Sequence, residues 1–215
     1  MQDSTIRWCG DIGMFAYDRP IPESCVHATA FCRKTCYNEK LYVTYPLMRV
    51  KDVRNEAYWQ QLDGLQVNFD LRKRRKQTDR LRLMTRGEAF RDLLDVARVE
   101  SIAANNPQRL IWVPTRAWRS PLLNAMVTRL RNTYDNLRIL ASTDPTTNDE
   151  EWVQLKAQGW STMFYGDDTT RYTPNGDKYF LCPKTHGAKV RGACAKCKRG
   201  CFRADKRVDV HLAQH

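Results

Sequence analysis

Long apolar runs are missing from this 215-residue chain. None approaches the roughly 20 residues of a membrane-spanning helix, so no such span is expected. The opening residues, MQDSTIRWCGDIG, lack the basic-then-apolar order of a secretory leader, and a reducing cytoplasm is the expected compartment. Acids are in short supply. Twenty-four Asp and Glu face 36 Lys and Arg, for a net charge of +12. That balance suits a polyanionic partner or an anionic cofactor, with a solvated basic surface as the plain alternative. Apolar side chains are not scarce. Hydrophobic residues make up 42% and aromatics 10%, enough for a packed core, which excludes an intrinsically disordered chain. One good-sized domain or two small ones fit this length.

What stands out is cysteine, with eight residues. In a reducing compartment these read as metal ligands or redox groups rather than as a disulfide framework. Cys182, Cys194, Cys197 and Cys201 follow the spacing C-x11-C-x2-C-x3-C. Cys25, Cys32 and Cys36 follow C-x6-C-x3-C, and Cys9 stands apart. Four thiolates can saturate a metal site, while three leave a position open. Structural zinc usually takes two close pairs. A close triplet with a remote cysteine followed by proline, here Cys182-Pro183, suits a [4Fe–4S] cluster better. One or two clusters are expected, with zinc as the alternative metal. His186 lies inside the C-terminal loop, where four thiols make it unnecessary as a ligand. Lys184, Lys189, Arg191, Lys196, Lys198 and Arg199 surround that loop. Such a shell suits an anionic thiolate centre, and equally a nucleic-acid patch held rigid by a metal.

Along the chain, residues 4–9 read as a strand and 10–24 as a loop running into the first cysteines. Residues 41–47 fit a strand or a helix leaving Cys36. Asn55 is expected to cap a short helix that stops at Gly64, and 66–71 alternates like a strand. Arg72, Lys73, Arg74, Arg75 and Lys76 form the strongest basic run, a solvated loop or a phosphate-binding patch. Strands follow at 80–84, 109–115, 137–143, 161–166 and 178–182. Between them lie helices at 88–104, from Ser120-Pro121 with an inner stripe Leu122, Leu123, Met126, Val127 and Leu130, and from a Thr147–Glu150 or an Asn148–Glu151 capping box to Gly159. The tail after Cys201 is polar and carries His211 and His215.

Strands alternating with helices predict an α/β fold around a parallel sheet. About six strands fit, too few for a closed eight-stranded barrel, so a partial (βα)6 barrel-like sheet or an open doubly wound sheet is expected. Residues 1–178 would form the α/β domain with its cysteine loop, and 179–215 a cysteine-rich, metal-binding segment packed on it. In either arrangement the strands' C-terminal ends form the functional edge. That edge collects Gly87, Glu88, Thr115, Arg116, Trp118, Arg119, Ser142, Thr143 and Asp144. Polar turns and helix caps explain such residues too, and Thr85-x-x-Glu88 has the form of a capping box.

The three-cysteine loop, followed about fifty residues later by a strand ending in Gly-Glu and then by further βα units, resembles the radical S-adenosylmethionine (SAM) superfamily. SCVHATAFCRKTCY, RGEAF, LIWVPTRAW, ILASTD and the final C-x2-C-x3-C more closely resemble a family of uncharacterised bacteriophage proteins, over residues 24–202. The resemblance implies a partial (βα)6 barrel in which Cys25, Cys32 and Cys36 hold a [4Fe–4S] cluster with one open iron. It implies that Gly87 and Glu88 meet the SAM amino group, with Arg86 where the superfamily has its first glycine. It implies that Ser142 and Asp144 lie near the ribose. Arg116 or Arg119 could meet the SAM carboxylate, and Cys9 could close the three-thiol site as a fourth ligand. The expected protein is thus an iron–sulfur, radical SAM-like phage protein of the host cytoplasm. The alternative is a non-enzymatic, metal-stabilised protein that binds nucleic acid through Arg72–Lys76 and the basic C-terminal shell.

Overall fold

Side-chain alternation along the strands sets the architecture. In the computed structural model, which describes residues 6–76, 78–187, 192–197, 201–202 and 208–214, the chain is a mixed α/β fold around one eight-stranded, mostly parallel sheet. The strands are β1 (Arg7–Cys9), β2 (Met14–Tyr17), β3 (Arg80–Leu83), β4 (Leu110–Thr115), β5 (Leu137–Thr143), β6 (Thr162–Gly166), β7 (Phe180–Leu181) and β8 (Val210–Ala213). Their order is β1-β2-β3-β4-β5-β6-β8-β7. Only β1, paired with β2, runs antiparallel.

One face of the sheet is the structural core. Phe15, Tyr17, Leu81, Leu83, Ile111, Val113, Leu137 and Ile139 point into it. They meet residues of α3 (Pro46–Trp59), α4 (Gly64–Arg72), α5 (Leu93–Ala104), α6 (Pro121–Thr133) and α7 (Asp149–Ala157). From β2 to β6 the strands are neighbours in sequence order, so crossovers of one hand stack their helices on this one side. Each fully buried side chain such as Leu81 or Val113 contributes about 1.5–3 kcal/mol.

The other face carries the alternate residues, Met14, Ala16, Trp112, Leu140, Met163 and Val210. Among the described residues no long helix covers it. The cysteine-rich C-terminal segment packs there instead, through Cys182, Cys194, Ala195, Cys201 and Phe202. The same segment supplies β7 and β8 to the sheet, so residues 179–215 are built into the α/β unit as well as packed on it.

Several expectations change. The loop expected at 10–24 contains β2, whose four residues are all buried. Residues 41–47 are helical, in α2 (Tyr37–Thr44) and the start of α3. Asn55 caps nothing. It is buried inside α3, and its Nδ2 donates to the Asp18 carbonyl at 3.0 Å. Gly64 opens a helix rather than closing one, and the strand expected at 66–71 is α4. A Cβ at Gly64 would lie 1.9 Å from the Ser101 carbonyl oxygen, so α4 and α5 approach as only glycine permits. The helix expected from residue 88 begins at Leu93, capped by Asp92, whose carboxylate accepts from the Asp95 amide. Leu122 leaves the expected stripe and faces solvent, while Leu123, Val127 and Leu130 are buried. The polar tail contains β8, with His211 fully buried, and His215 lies outside the described residues. The strands at 80–84, 109–115, 137–143 and 161–166 and the Asn148–Glu151 capping box are as expected.

Candidate functional site

Cys25, Cys32 and Cys36 line one cavity of about 150 Å³ at the C-terminal ends of the strands. Arg86, Gly87, Glu88, Thr115, Arg116 and Ser142 line it too, so nine of the residues singled out in the sequence meet there. The loop that carries the cysteines is fastened at several points. Thr29 caps α1 (Ala30–Lys34), accepting from the Cys32 amide at 3.0 Å and donating to Asp144 Oδ2 at 2.6 Å. The Tyr165 hydroxyl, at the end of β6, donates to the Thr35 carbonyl at 3.0 Å. Cys36 sits at the N-cap of α2. Burial pushes the Cys25 thiol up to about 12, helped by the charges of Glu88 and Cys32. Burial also raises Cys32, and Arg116 opposes the rise.

Gly87 takes φ +81°, and a Cβ there would lie 2.5 Å from Ser24 Oγ, so only glycine fits. Glu88 is not half of a capping box. Thr85 turns to Asp18, which accepts from both its amide and its hydroxyl. Glu88 Oε1 instead accepts from the Ala89 and Phe90 amides and the Thr115 hydroxyl, while Oε2 accepts from the Arg116 amide at 2.9 Å. Its carboxylate therefore ties the end of β3 to the end of β4. Arg86, in the position before Gly87, is buried. It binds Asp52 through Nε at 2.6 Å and Nη2 at 3.0 Å, and Asp18 through Nη2 at 2.9 Å. Burial depresses the Arg86 pKa, and the two carboxylates more than reverse that, so it rises.

Asp144 is occupied on both oxygens, by Thr29 and Arg116 on one and by Thr146 on the other. Burial would raise its pKa, but the hydrogen bonds from Thr146 and Thr29 and the charge of Arg116 lower it. Its visible work is to hold the cysteine loop. Arg119 lies away from the cavity, in a groove between α6 and α7, and pairs with Glu151 and Thr147. The sequence reading did not single out Thr29, Tyr165 or Arg82, which also serve or line the site. Only Thr29 left a signal, a threonine three residues before Cys32 in capping position.

The four C-terminal cysteines line a second, smaller cavity of about 40 Å³, walled by Trp112, Phe180, Phe202 and Val210. Arg80 holds the segment down, donating to the carbonyls of Cys194 at 2.7 Å and Cys197 at 3.2 Å. Burial raises the pKa of Cys194 and of Cys201. Cys9 packs beside this set, and not beside the three-thiol loop. Its strand is antiparallel to β2 and places Cys9 opposite Met14, at the amino-terminal end of β2, whereas the loop leaves the other end. None of the eight cysteines is joined in a disulfide. Among the described residues, no three Cys, His, Asp or Glu side chains stand in position to hold a single metal ion.

His186 reaches His211, Nε2 to Nδ1, at 2.8 Å. In the basic run, Lys73 covers the Phe69 ring at 3.7 Å and Lys76 the Trp8 ring at 4.6 Å, and Arg74 donates to the Ile6 carbonyl. Arg72, Lys73, Arg75 and Lys76 are exposed. Of the C-terminal shell, Lys189, Arg191, Lys198 and Arg199 lie outside the described residues. No described helix is long and apolar enough to cross a membrane.

No curated protein matches the chain, and no solved structure does. A family profile described as Gene product 88 matches residues 6–204, nearly the whole chain and both cysteine sets. The chain belongs to the Gene product 88 family, a phage-type protein family.

Proposed function

We propose that the protein is an iron–sulfur protein with radical SAM-type chemistry, built on a partial (βα)6 barrel. The observation that carries this reading is the meeting of Cys25, Cys32 and Cys36 with Gly87, Glu88, Arg116 and Ser142 around one cavity. Three soft thiolates are a donor set that iron–sulfur clusters take. Among the described residues no fourth cysteine and no histidine lines that cavity, so a cluster there would keep one iron for a small molecule. Glu88 Oε2 carries one hydrogen bond and has capacity left for an amino group. SAM bound at the open iron would supply a reactive radical. The residues of this chain would hold the amino acid end of SAM, with Gly87 and Glu88 beneath it, and would keep the loop rigid through Asp144 and Tyr165. Ser142 remains in reach of the cavity for the ribose, whereas Asp144 is engaged elsewhere and Arg119 is too far removed to meet the carboxylate. The four thiols around the C-terminal cavity are the donor set we assign to a closed second cluster, or to zinc.

Anaerobically purified protein is expected to contain iron and sulfide. After reduction and addition of SAM it should release 5′-deoxyadenosine and change its electron-spin signal. A protein that binds iron at Cys25, Cys32 and Cys36 yet gives neither response would be a cluster protein outside this chemistry.

A second reading, salt-sensitive binding of nucleic acid by a metal-stabilised scaffold, is favoured by one observation. In the run at Arg72–Lys76, the side chains of Arg72, Lys73, Arg75 and Lys76 are exposed and set four positive charges on one stretch of surface. Affinity for DNA or RNA should fall steeply as salt rises. Absence of binding at low salt would end this reading.

A further inference from the structure

The two cysteine-lined cavities share the same face of the sheet. The smaller is walled by Trp112 and Val210, and the larger by Pro114 and Leu212, two residues further along the same strands. Two residues of strand advance about 7 Å, so the cavities are stacked, one directly beyond the other. Between them lies the layer formed by Arg82 and Trp112. Arg82 lines the larger cavity and stacks on Trp112, its guanidinium carbon 4.1 Å from the ring centroid. The two residues are register partners on β3 and β4. Both carry buried donors with no acceptor, Arg82 Nε and Trp112 Nε1.

The other cations around the larger cavity are accounted for. Arg86 is held by Asp18 and Asp52, and Arg116 by Asp144. Among the described residues Arg82 has neither a carboxylate nor a hydrogen-bond partner. Arginine cannot shed its proton, and an unbalanced charge in such a place is costly. An anion beside the guanidinium would offset that charge. Trp112, on which Arg82 stacks, walls the four-thiol cavity, so the stack borders the C-terminal thiols. A four-thiolate metal centre is anionic and offers sulfur acceptors to both orphaned donors.

We propose that Arg82 is the counter-cation of a metal centre held by Cys182, Cys194, Cys197 and Cys201, and that the Arg82–Trp112 layer separates that centre from the open cavity. This rests on the reading of the C-terminal set as a metal site. Arg82 is a positioning residue here, acting through the thiolates rather than on any substrate. Outer-shell partners of metal ligands typically change metal affinity by 10- to 100-fold.

The test uses the full chain with Cys25, Cys32 and Cys36 replaced by Ser, so that bound metal reports on the C-terminal set alone. In that background, Arg82→Gln is expected to lose its metal to a chelator about tenfold faster, and Arg82→Lys, which keeps the charge, to stay near the parent rate. Circular dichroism and melting curves establish that both variants are folded. Equal release rates for Arg82→Gln and the parent would overturn the proposal, as would rapid release from Arg82→Lys. Inorganic phosphate provides the competing outcome. If phosphate raises the melting temperature of the parent but not of Arg82→Gln, with release rates unchanged, then Arg82 serves an anion in the open cavity and the proposal falls. A background chain that contains no metal at all would defeat the metal reading itself, and is told apart from these results by elemental analysis.

Discussion

Arg86→Met should destabilise the fold by about 3–5 kcal/mol, the scale for breaking a buried ion pair by removing one partner. Asp52 would lose both guanidinium contacts and keep the Tyr42 hydroxyl, and Asp18 would keep Arg7 and Thr85. The effect would also appear in the acid limb. Burial raises the Asp18 pKa, but Arg7 and Arg86 more than offset this, and it ends below its ordinary value. A carboxylate depressed in this way contributes stability above its unfolded pKa of about 3.9, and that contribution is lost as pH falls through the lower native value. Without Arg86 the native value rises toward the unfolded one, so Asp18 contributes less at neutral pH, and less is lost on acidification, over a narrower window that ends at higher pH. Urea unfolding of parent and variant between pH 7 and 3 measures both effects. An unchanged midpoint at neutral pH would mean that the Arg86 cluster contributes nothing net.

Cys197→Ala should empty the C-terminal site and release the cover from the sheet. Metal binding at a site absent from the unfolded chain is folding free energy, about 10–16 kcal/mol for structural zinc in small peptides. A sheet with its own core would lose less than a peptide does, but the four-thiol cavity is walled by Trp112 and Phe202, whose rings lie 5.7 Å apart edge to face. Tryptophan emission should therefore shift as the metal leaves. Elemental analysis, absorbance near about 400 nm and the melting curve complete the measurement. Brown colour in the parent would mean iron–sulfur, and a colourless, zinc-containing parent would mean zinc. Full metal content with unchanged melting in the variant would remove Cys197 from the ligand set.

The parts of the fold legible in the sequence were those with local signals. The strands β3 to β6 are apolar runs ended by turn chemistry, and α7 announces itself through Asn148 and Glu151. Where the fold depends on distant contacts, reading failed. Val67, Phe69 and Leu71 alternate as in a strand, but α4 buries Val67 and Leu71 and leaves Phe69 53% exposed. Its docking on α5 through Gly64 and Ser101 has no local trace. MFAY at 14–17 and VHLA at 210–213 are too short to stand out, and become strands only because the sheet offers them partners. The site followed the same rule. Residue type and spacing brought out the cysteines, Gly87 and Glu88. The true work of Glu88, and the grip of Asp144 on Thr29, are long-range hydrogen bonds that no spacing encodes.

The insertion of β8 between β6 and β7 has a consequence for synthesis on the ribosome. The chain emerges amino end first. Cys25, Cys32, Cys36 and the strands from β2 to β6 all leave the exit tunnel before β7 does. When β7 emerges, the place beside it in the sheet is still vacant, because β8 lies later in the chain. Cys182 must wait, apart from its three companions, until Val210–Ala213 slides in alongside β6. The loop thiols can thus be gathered on a nascent chain, whereas the C-terminal four are assembled only after translation has passed them all.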